Sequence, residues 1–189
     1  MTKKRIQSVS VAGCGYMGWV FGCQCAAKGY SVSLYDISPE AINQAREHIS
    51  QELDAREDQR LITPGEKQTI LGRISFTQDL KKAVAKADFV FETVPEKLEL
   101  KREIFARLDR LSPAETILAT GSSSLPVSRI EDATKRPDRV LNTHFYPPIW
   151  EMPMVELMRG SATSEETLDR VRQFMKDIDV VPLMVLKES

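Results

Sequence analysis

The sequence has little of what marks several protein classes. Three cysteines among 189 residues are an odd count for a disulfide framework. Cys23 and Cys25 stand two apart on an expected helix, where side chains diverge instead of converging on a metal. They read as small core residues, and no metal site is expected. No run of apolar residues approaches a membrane span. A formal net charge of −1 leaves no basic excess for nucleic acid. There is no internal repeat and no low-complexity stretch. Met1-Thr2-Lys3-Lys4-Arg5 leads straight into a strand instead of a signal-peptide core, so the expected setting is cytoplasmic, with no membrane and no nucleic acid as partner. With 42% apolar and 28% charged residues, the composition is that of an ordinary globular chain, long enough for one domain over 1–189 and one hydrophobic core.

What is present is more specific. Val9-Ser10-Val11-Ala12-Gly13-Cys14-Gly15-Tyr16-Met17-Gly18 places a G-x-G-x-x-G cluster between a β-type run and a helix-length segment. A second β-type run begins at Ser31 and closes on Asp36, eighteen positions past Gly18. That combination within one βαβ unit reads as a dinucleotide site. Gly13 permits the tight strand-to-helix turn, Gly15 lets backbone approach a pyrophosphate, and Gly18 lets the helix lie close on the sheet. The small Cys14 suits the same turn, and the helix-start amides near Tyr16 and Met17 face the phosphates. Asp36, as a carboxylate at the second strand's tip, accepts from a ribose 2′-hydroxyl and repels a 2′-phosphate, which favours NAD over NADP. It also suits the cap of a turn toward Ser38-Pro39, and the two roles are compatible.

Strand-like and helix-like segments alternate along the chain, the pattern of a doubly wound, Rossmann-type α/β domain: a mainly parallel sheet with helices on both faces. Strands are expected near 7–12, 31–35, 73–76, 88–93, 116–120, 139–143, 153–158 and 179–186. Helices are expected near 17–28, 39–58, 64–71, 78–86, 97–110, 126–133 and 164–177, with Pro39, Pro64 and Pro126 at first-turn positions. The excursion from Glu40 to Gly72 is longer than a crossover needs. It is charged, and reads either as a solvated helical hairpin or as a substrate-facing projection carrying Arg56, Arg60 and Lys67. His48, on its first helix, reads as solvated.

Three further segments stand at strand ends, where open α/β sheets bind ligands. The first runs from Phe89 through Glu92-Thr93-Val94-Pro95-Glu96 to Lys101; Glu96 near a helix start favours the helix dipole whatever else it does. The second is Thr120-Gly121-Ser122-Ser123-Ser124-Leu125-Pro126, whose serines are natural N-caps with hydroxyls to spare. The third is His144-Phe145-Tyr146-Pro147-Pro148, followed by Glu156 inside the next apolar strand. A carboxylate there needs a partner. His144, twelve positions back, is a suitable one, and such a pair orients a histidine as a general base.

Taken jointly, Gly13 to Gly18, Asp36, Glu92 to Glu96 with Lys101, Ser123-Ser124-Leu125, and His144-Phe145-Tyr146 with Glu156 resemble the N-terminal NAD-binding domain of the 3-hydroxyacyl-CoA dehydrogenases, from Val9 to about Leu186. The resemblance implies hydride transfer to NAD in fatty-acid β-oxidation, with His144 taking the proton of the substrate's 3-hydroxyl and Glu156 holding and polarising it. It implies that Ser123 hydrogen-bonds the reacting oxygen and that Glu96 and Lys101 contact the nicotinamide-side ribose. The family usually reads Ser-Asn-Thr-Ser-Ser-Leu where this chain has Thr120 to Leu125, and Asn where it has Pro147. Its helical C-terminal domain, which supplies a catalytic Asn, the far wall of the cleft and much of a homodimer contact, is expected to be absent here, leaving a weakly active or inactive fragment. Two alternatives stay open: a dehydrogenase of a small 3-hydroxy acid, gulonate- or carnitine-like, and a non-catalytic NAD-binding module.

Overall fold

The computed structural model describes residues 5–185. Met1 to Lys4 and the expected end of the last strand at residue 186 lie outside the described residues. The first βαβ unit is β1 (Ser8–Ala12), α1 (Tyr16–Ala27) and β2 (Ser31–Tyr35), followed by α2 (Pro39–Asp58), α3 (Pro64–Gly72) and β3 (Ile74–Thr77). Then come α4 (Leu80–Val84), β4 (Phe89–Glu92), α5 (Leu98–Leu111), β5 (Ile117–Thr120), β6 (Val140–Phe145), β7 (Met154–Arg159), α6 (Glu165–Asp177) and β8 (Val181–Val185). Eight strands form one sheet in the order β3-β2-β1-β4-β5-β6-β7-β8. β7 alone is antiparallel to its neighbour β6, and β8 runs parallel to β7. The doubly wound, mainly parallel sheet is therefore as the sequence implies.

Register gathers the strand ends. Tyr35 pairs with Ala12, Ala12 with Glu92, Glu92 with Thr120, and Thr120 with Asn142. One rung thus crosses five strands. The residues that follow it in the first four of these strands, Gly13, Asp36, Thr93 and Gly121, start the loops along one edge, and β6 continues past the rung to Phe145. The chain leaves β1 toward β2 on one side, and β4 stands on the other, so this edge carries the topological switch point where such sheets bind ligands.

The single core expected from composition is two in fact, because the sheet separates them. Phe89, Phe91, Ile117 and Ala119 face a core shared with α1, α2 and α6, whereas the intervening Val90 and Leu118 face one shared with α4 and α5. Alternate residues of a strand point to opposite faces. Helix α1 is buried from Gly18 to Ala26 because sheet and excursion cover it on both sides. In α2, Ile42, Ala45, Ile49 and Leu53 recur at helical spacing and are buried, so the remaining turns carry its charge outward. Ser38 caps α2 by accepting from the Ala41 amide at 3.1 Å, and Thr63 with Glu66 forms a capping box on α3.

One expected helix is absent. Residues 126–133 form two 3-10 turns, Val127–Arg129 and Glu131–Ala133. Pro126 is extended at ψ 145°, and the Thr134 hydroxyl and amide both return to the Glu131 carbonyl, which ends the winding. Glu131 is itself drawn inward, its carboxylate accepting from Ser161 across the domain.

Candidate functional site

The glycine loop is built for a close approach. Gly13 turns at φ +119°, a conformation that glycine adopts without strain, and its N–H donates to the Tyr35 carbonyl at 2.8 Å. Gly15 has an ordinary φ of −63°, so space is what it provides: nothing lies within 4 Å of where its Cβ would project. No side chain caps α1, which leaves first-turn amides and the positive end of the helix dipole for an anion. A Cβ on Gly18 would stand 1.9 Å from the Gly13 carbonyl oxygen. The same Cβ would crowd the Thr93 hydroxyl at the end of β4 at 3.1 Å, and one turn on Gly22 continues the close approach of helix to sheet, its added Cβ meeting Leu34 at 3.0 Å. Tyr16 is exposed, edge-on to Trp19, and Met17 is half-buried.

Asp36 ties this loop to the next. Its Oδ2 accepts from the Cys14 amide at 2.9 Å and its Oδ1 from the Ser38 amide at 2.9 Å. Each oxygen keeps further acceptor capacity for a sugar hydroxyl. Cys14, Cys23 and Cys25 are buried free thiols, and burial pushes Cys14 up to about 12 and Cys23 up to about 11.

At the end of β4, Glu92 and Lys101, which the sequence reading placed in one segment without pairing them, form a buried ionic network. Glu92 is 0% exposed and Lys101 1%. The Lys101 Nζ lies 2.8 and 3.1 Å from the two Glu92 oxygens, which also accept from the Val94 amide and the Thr120 hydroxyl, both at 2.7 Å. Burial pushes the Glu92 carboxyl up, against the pull of the Lys101 charge and these donors. Lys101 therefore sits beneath the surface, 3.3 Å from Glu96 Oε2. Glu96 Oε1 accepts from the Ser122 hydroxyl, from the Ser124 amide at 3.1 Å and from the Ser124 hydroxyl at 3.0 Å. Burial raises the Glu96 carboxyl, but Ser122, Lys101 and Ser124 outweigh it and hold it down at about 2. Ser122 also caps the following turn through the Leu125 amide at 2.8 Å. Ser122 is buried whereas Ser123 and Ser124 are both exposed, and Ser123 is the one of the three that Glu96 does not hold. An apolar strand ending in an acid with Lys nine positions on was the available signal.

The two residues paired on paper are paired across strands. His144 of β6 faces Glu156 of β7 in register, and its Nδ1 is 3.0 Å from Glu156 Oε2. Hydrogen bonding to His144 holds the Glu156 carboxyl below its ordinary value, against partial burial, with help from the Tyr146 hydroxyl. Tyr146 stands edge-on to the imidazole at 5.0 Å, a neighbour to which the sequence reading gave no role. The Nε2 has no partner among the described residues. Asn142 Nδ2 donates to the Ser122 carbonyl at 2.8 Å, which joins the strand carrying His144 to the serine loop.

Residues 8–189 match the family model described as 3-hydroxyacyl-CoA dehydrogenase, NAD binding domain. The chain belongs to the 3-hydroxyacyl-CoA dehydrogenase family. It is the NAD-binding domain of this family, and NAD is its cofactor. A probable 3-hydroxybutyryl-CoA dehydrogenase of Bacillus subtilis is 41% identical over 164 residues, covering 86% of this chain and 56% of that protein. An L-carnitine dehydrogenase of Bacillus cereus is 35% identical over 188 residues, covering 100% and 56%. Among solved structures, the (S)-3-hydroxybutyryl-CoA dehydrogenase PaaH1 of Ralstonia eutropha superposes with a TM-score of 0.93 at 30% identity, over 97% of this chain and 64% of that one. The chain thus spans about half the length of the curated relatives it matches.

Within this 3-hydroxyacyl-CoA dehydrogenase domain, the excursion is a helical hairpin that walls a cavity of about 1020 Å³ together with Trp150 and the end of α1. Of its three noted basic groups, Arg56 lines that cavity, paired with Glu52 at 2.7 Å and stacked over Trp150 at 4.6 Å. Lys67 is held by Asp54 and Glu57, and Arg60 is exposed. His48 is exposed but not merely solvated: its ring stacks on Trp19 at 5.5 Å. No helix among the described residues is long and apolar enough to cross a membrane, and no three or more of their His, Cys, Asp and Glu side chains gather as a metal-ligand set.

Proposed function

We propose that this domain serves an enzyme that interconverts 3-hydroxyacyl-CoA and 3-oxoacyl-CoA, with His144 as general base. The observation that carries the reading is the in-register His144–Glu156 pair at 3.0 Å, standing on the same sheet edge as the uncapped glycine loop. Nδ1 donates to Glu156, which leaves Nε2 as the acceptor turned to a substrate hydroxyl. Glu156 stabilises the imidazolium that forms when the proton arrives. The residues present fit NAD: free amides at Tyr16 and Met17 beside the open space at Gly15 for its diphosphate, Asp36 for the adenosine ribose, and Glu96 above Lys101 for the second ribose. When bound, NAD accepts the hydride. Ser123, exposed on the neighbouring loop, hydrogen-bonds the reacting oxygen. A non-catalytic module has no need of a polarised imidazole beside this loop.

The far wall of the substrate cleft, and a homodimer contact, are assigned in this reading to a further helical domain, and the free thiols suit the cytoplasm. The test is turnover of acetoacetyl-CoA with NADH by the whole gene product. His144→Gln should reduce kcat by roughly 10²–10⁴-fold and leave NADH affinity unchanged; undiminished turnover would remove the assignment.

A small 3-hydroxy acid is the second reading. It is favoured by the neutralisation of Arg56 by Glu52 and of Lys67 by Asp54 and Glu57, which leaves little uncompensated positive charge for a CoA phosphate. Reversing Arg56, Arg60 and Lys67 to Glu should raise KM for the thioester and spare a small acid; an unchanged thioester KM decides for the small acid.

A further inference from the structure

The ion pair of Glu92 and Lys101 is costly to bury, and an apolar pair of similar volume would serve stability as well or better. What two apolar residues could not supply is geometry. Glu92 closes β4 on the rung between Ala12 and Thr120, so it stands at the root of the glycine loop on one side and the serine loop on the other. Its two oxygens take Lys101 Nζ at 2.8 and 3.1 Å, the Thr120 hydroxyl and the Val94 amide. Lys101 in turn reaches the Val94 carbonyl at 3.3 Å and Glu96 Oε2 at 3.3 Å. Glu96 gathers Ser122 and Ser124. At 1% exposure the ammonium has no face left for a sugar, whereas the Glu96 side chain is 36% exposed.

We propose that Glu92 is a positioning residue for the dinucleotide site: it fixes Lys101 beneath Glu96, so that Glu96 holds the serine loop and presents Oε2 to the nicotinamide-side ribose. The inference rests on the role given to Glu96 above. Lys101 acts on the cofactor through Glu96 instead of touching it. Removing the Glu92 charge frees the ammonium to draw Glu96 inward, away from the ribose and the serines, while Asp36 and the glycine loop keep their own bonds.

Titration calorimetry with NADH and with ADP separates these effects, because ADP uses only the glycine loop and Asp36. Glu92→Gln should weaken NADH roughly tenfold, the worth of one hydrogen bond to a charged group, and leave ADP binding unchanged. If that variant does not fold, Glu92→Met with Lys101→Met leaves no unpaired charge and should show the same selective loss. Wild-type NADH affinity in a folded variant, or an equal loss of NADH and ADP, overturns the positioning role. Glu96→Gln reports separately on the underlying reading: if it binds NADH as the wild type does, the ribose contact itself fails, whereas a loss with Glu96→Gln and none with Glu92→Gln condemns only the positioning role.

Discussion

The ring of Phe91 stands where a side chain at position 121 would begin. A Cβ on Gly121 would meet Phe91 Cζ at 2.8 Å and Cε2 at 2.9 Å, with the Glu92 carbonyl oxygen at 3.4 Å. Phe91 is fully buried among Phe21 and Phe145, so it has no room to withdraw. The missing amide at position 121 and the large ring at 91 are therefore one feature. Gly121→Asn alone should cost about 1–3 kcal/mol by overpacking. Combined with Phe91→Val, which vacates the site, it should cost less than the two single changes together by about 1 kcal/mol. Urea denaturation of the four proteins measures that coupling, and strict additivity would show that the ring and the glycine are unrelated.

The second and third glycines of the loop should separate folding from binding. Gly15 has an ordinary φ and open space around its absent Cβ, so Gly15→Ala should keep or slightly raise stability, by up to about 1 kcal/mol, while its methyl group intrudes on the diphosphate and weakens NADH. In Gly18→Ala the new carbon falls 1.9 Å from a backbone oxygen, which must shift. That change should destabilise by about 1–3 kcal/mol or more. Thermal melts and NADH titration of both variants check the contrast, and a Gly15→Ala protein binding NADH normally would place the diphosphate elsewhere.

How far the sequence was legible follows from how local each signal is. Gly13 to Gly18 and Asp36 lie within one βαβ unit, and His144 and Glu156 are joined by a short connection that puts them in cross-strand register, so spacing alone exposed both. Glu92 was hidden because its burial depends on pairing with β1 and β5, and Thr120, its partner, is 28 positions away. Phe91 and Gly121 meet only across β4 and β5, which no periodicity announces. The helix expected over 126–133 failed for the same reason: Pro126 and the spacing of Val127 and Ile130 are local signals, but Glu131 is taken by Ser161, 30 positions on. Gly22 went unremarked because only the Leu34 side chain, on the next strand, demands it.

Asp36 offers a cofactor test in which structure and recognition can be told apart. It accepts the Cys14 and Ser38 amides as well as facing the expected ribose. Asp36→Asn keeps one acceptor oxygen and removes the charge that repels a 2′-phosphate. NADH should bind about tenfold more weakly, and the preference over NADPH should shrink. Asp36→Ala, which strands two backbone amides, should lose stability as well, by about 1–3 kcal/mol. Competitive titration of the two cofactors measures the ratio. Tighter binding of NADPH than NADH by the unaltered chain would contradict the ribose assignment.

Acid should loosen this edge of the sheet, because Glu96 is held there as its anion. Its carboxyl is held at about 2 in the folded protein against an ordinary 4.5, so the unfolded chain binds the proton first. The stabilisation it contributes is complete above the ordinary value, declines as pH falls below it, and is gone once pH passes through about 2. Glu156 is shifted the same way by His144 and adds to the slope. Urea midpoints measured from pH 5 downward, a range set by those two values, should fall more steeply for the wild type than for Glu96→Gln, which cannot titrate there. Parallel curves for the two proteins would mean that Ser122, Ser124 and Lys101 do not hold the Glu96 charge in solution.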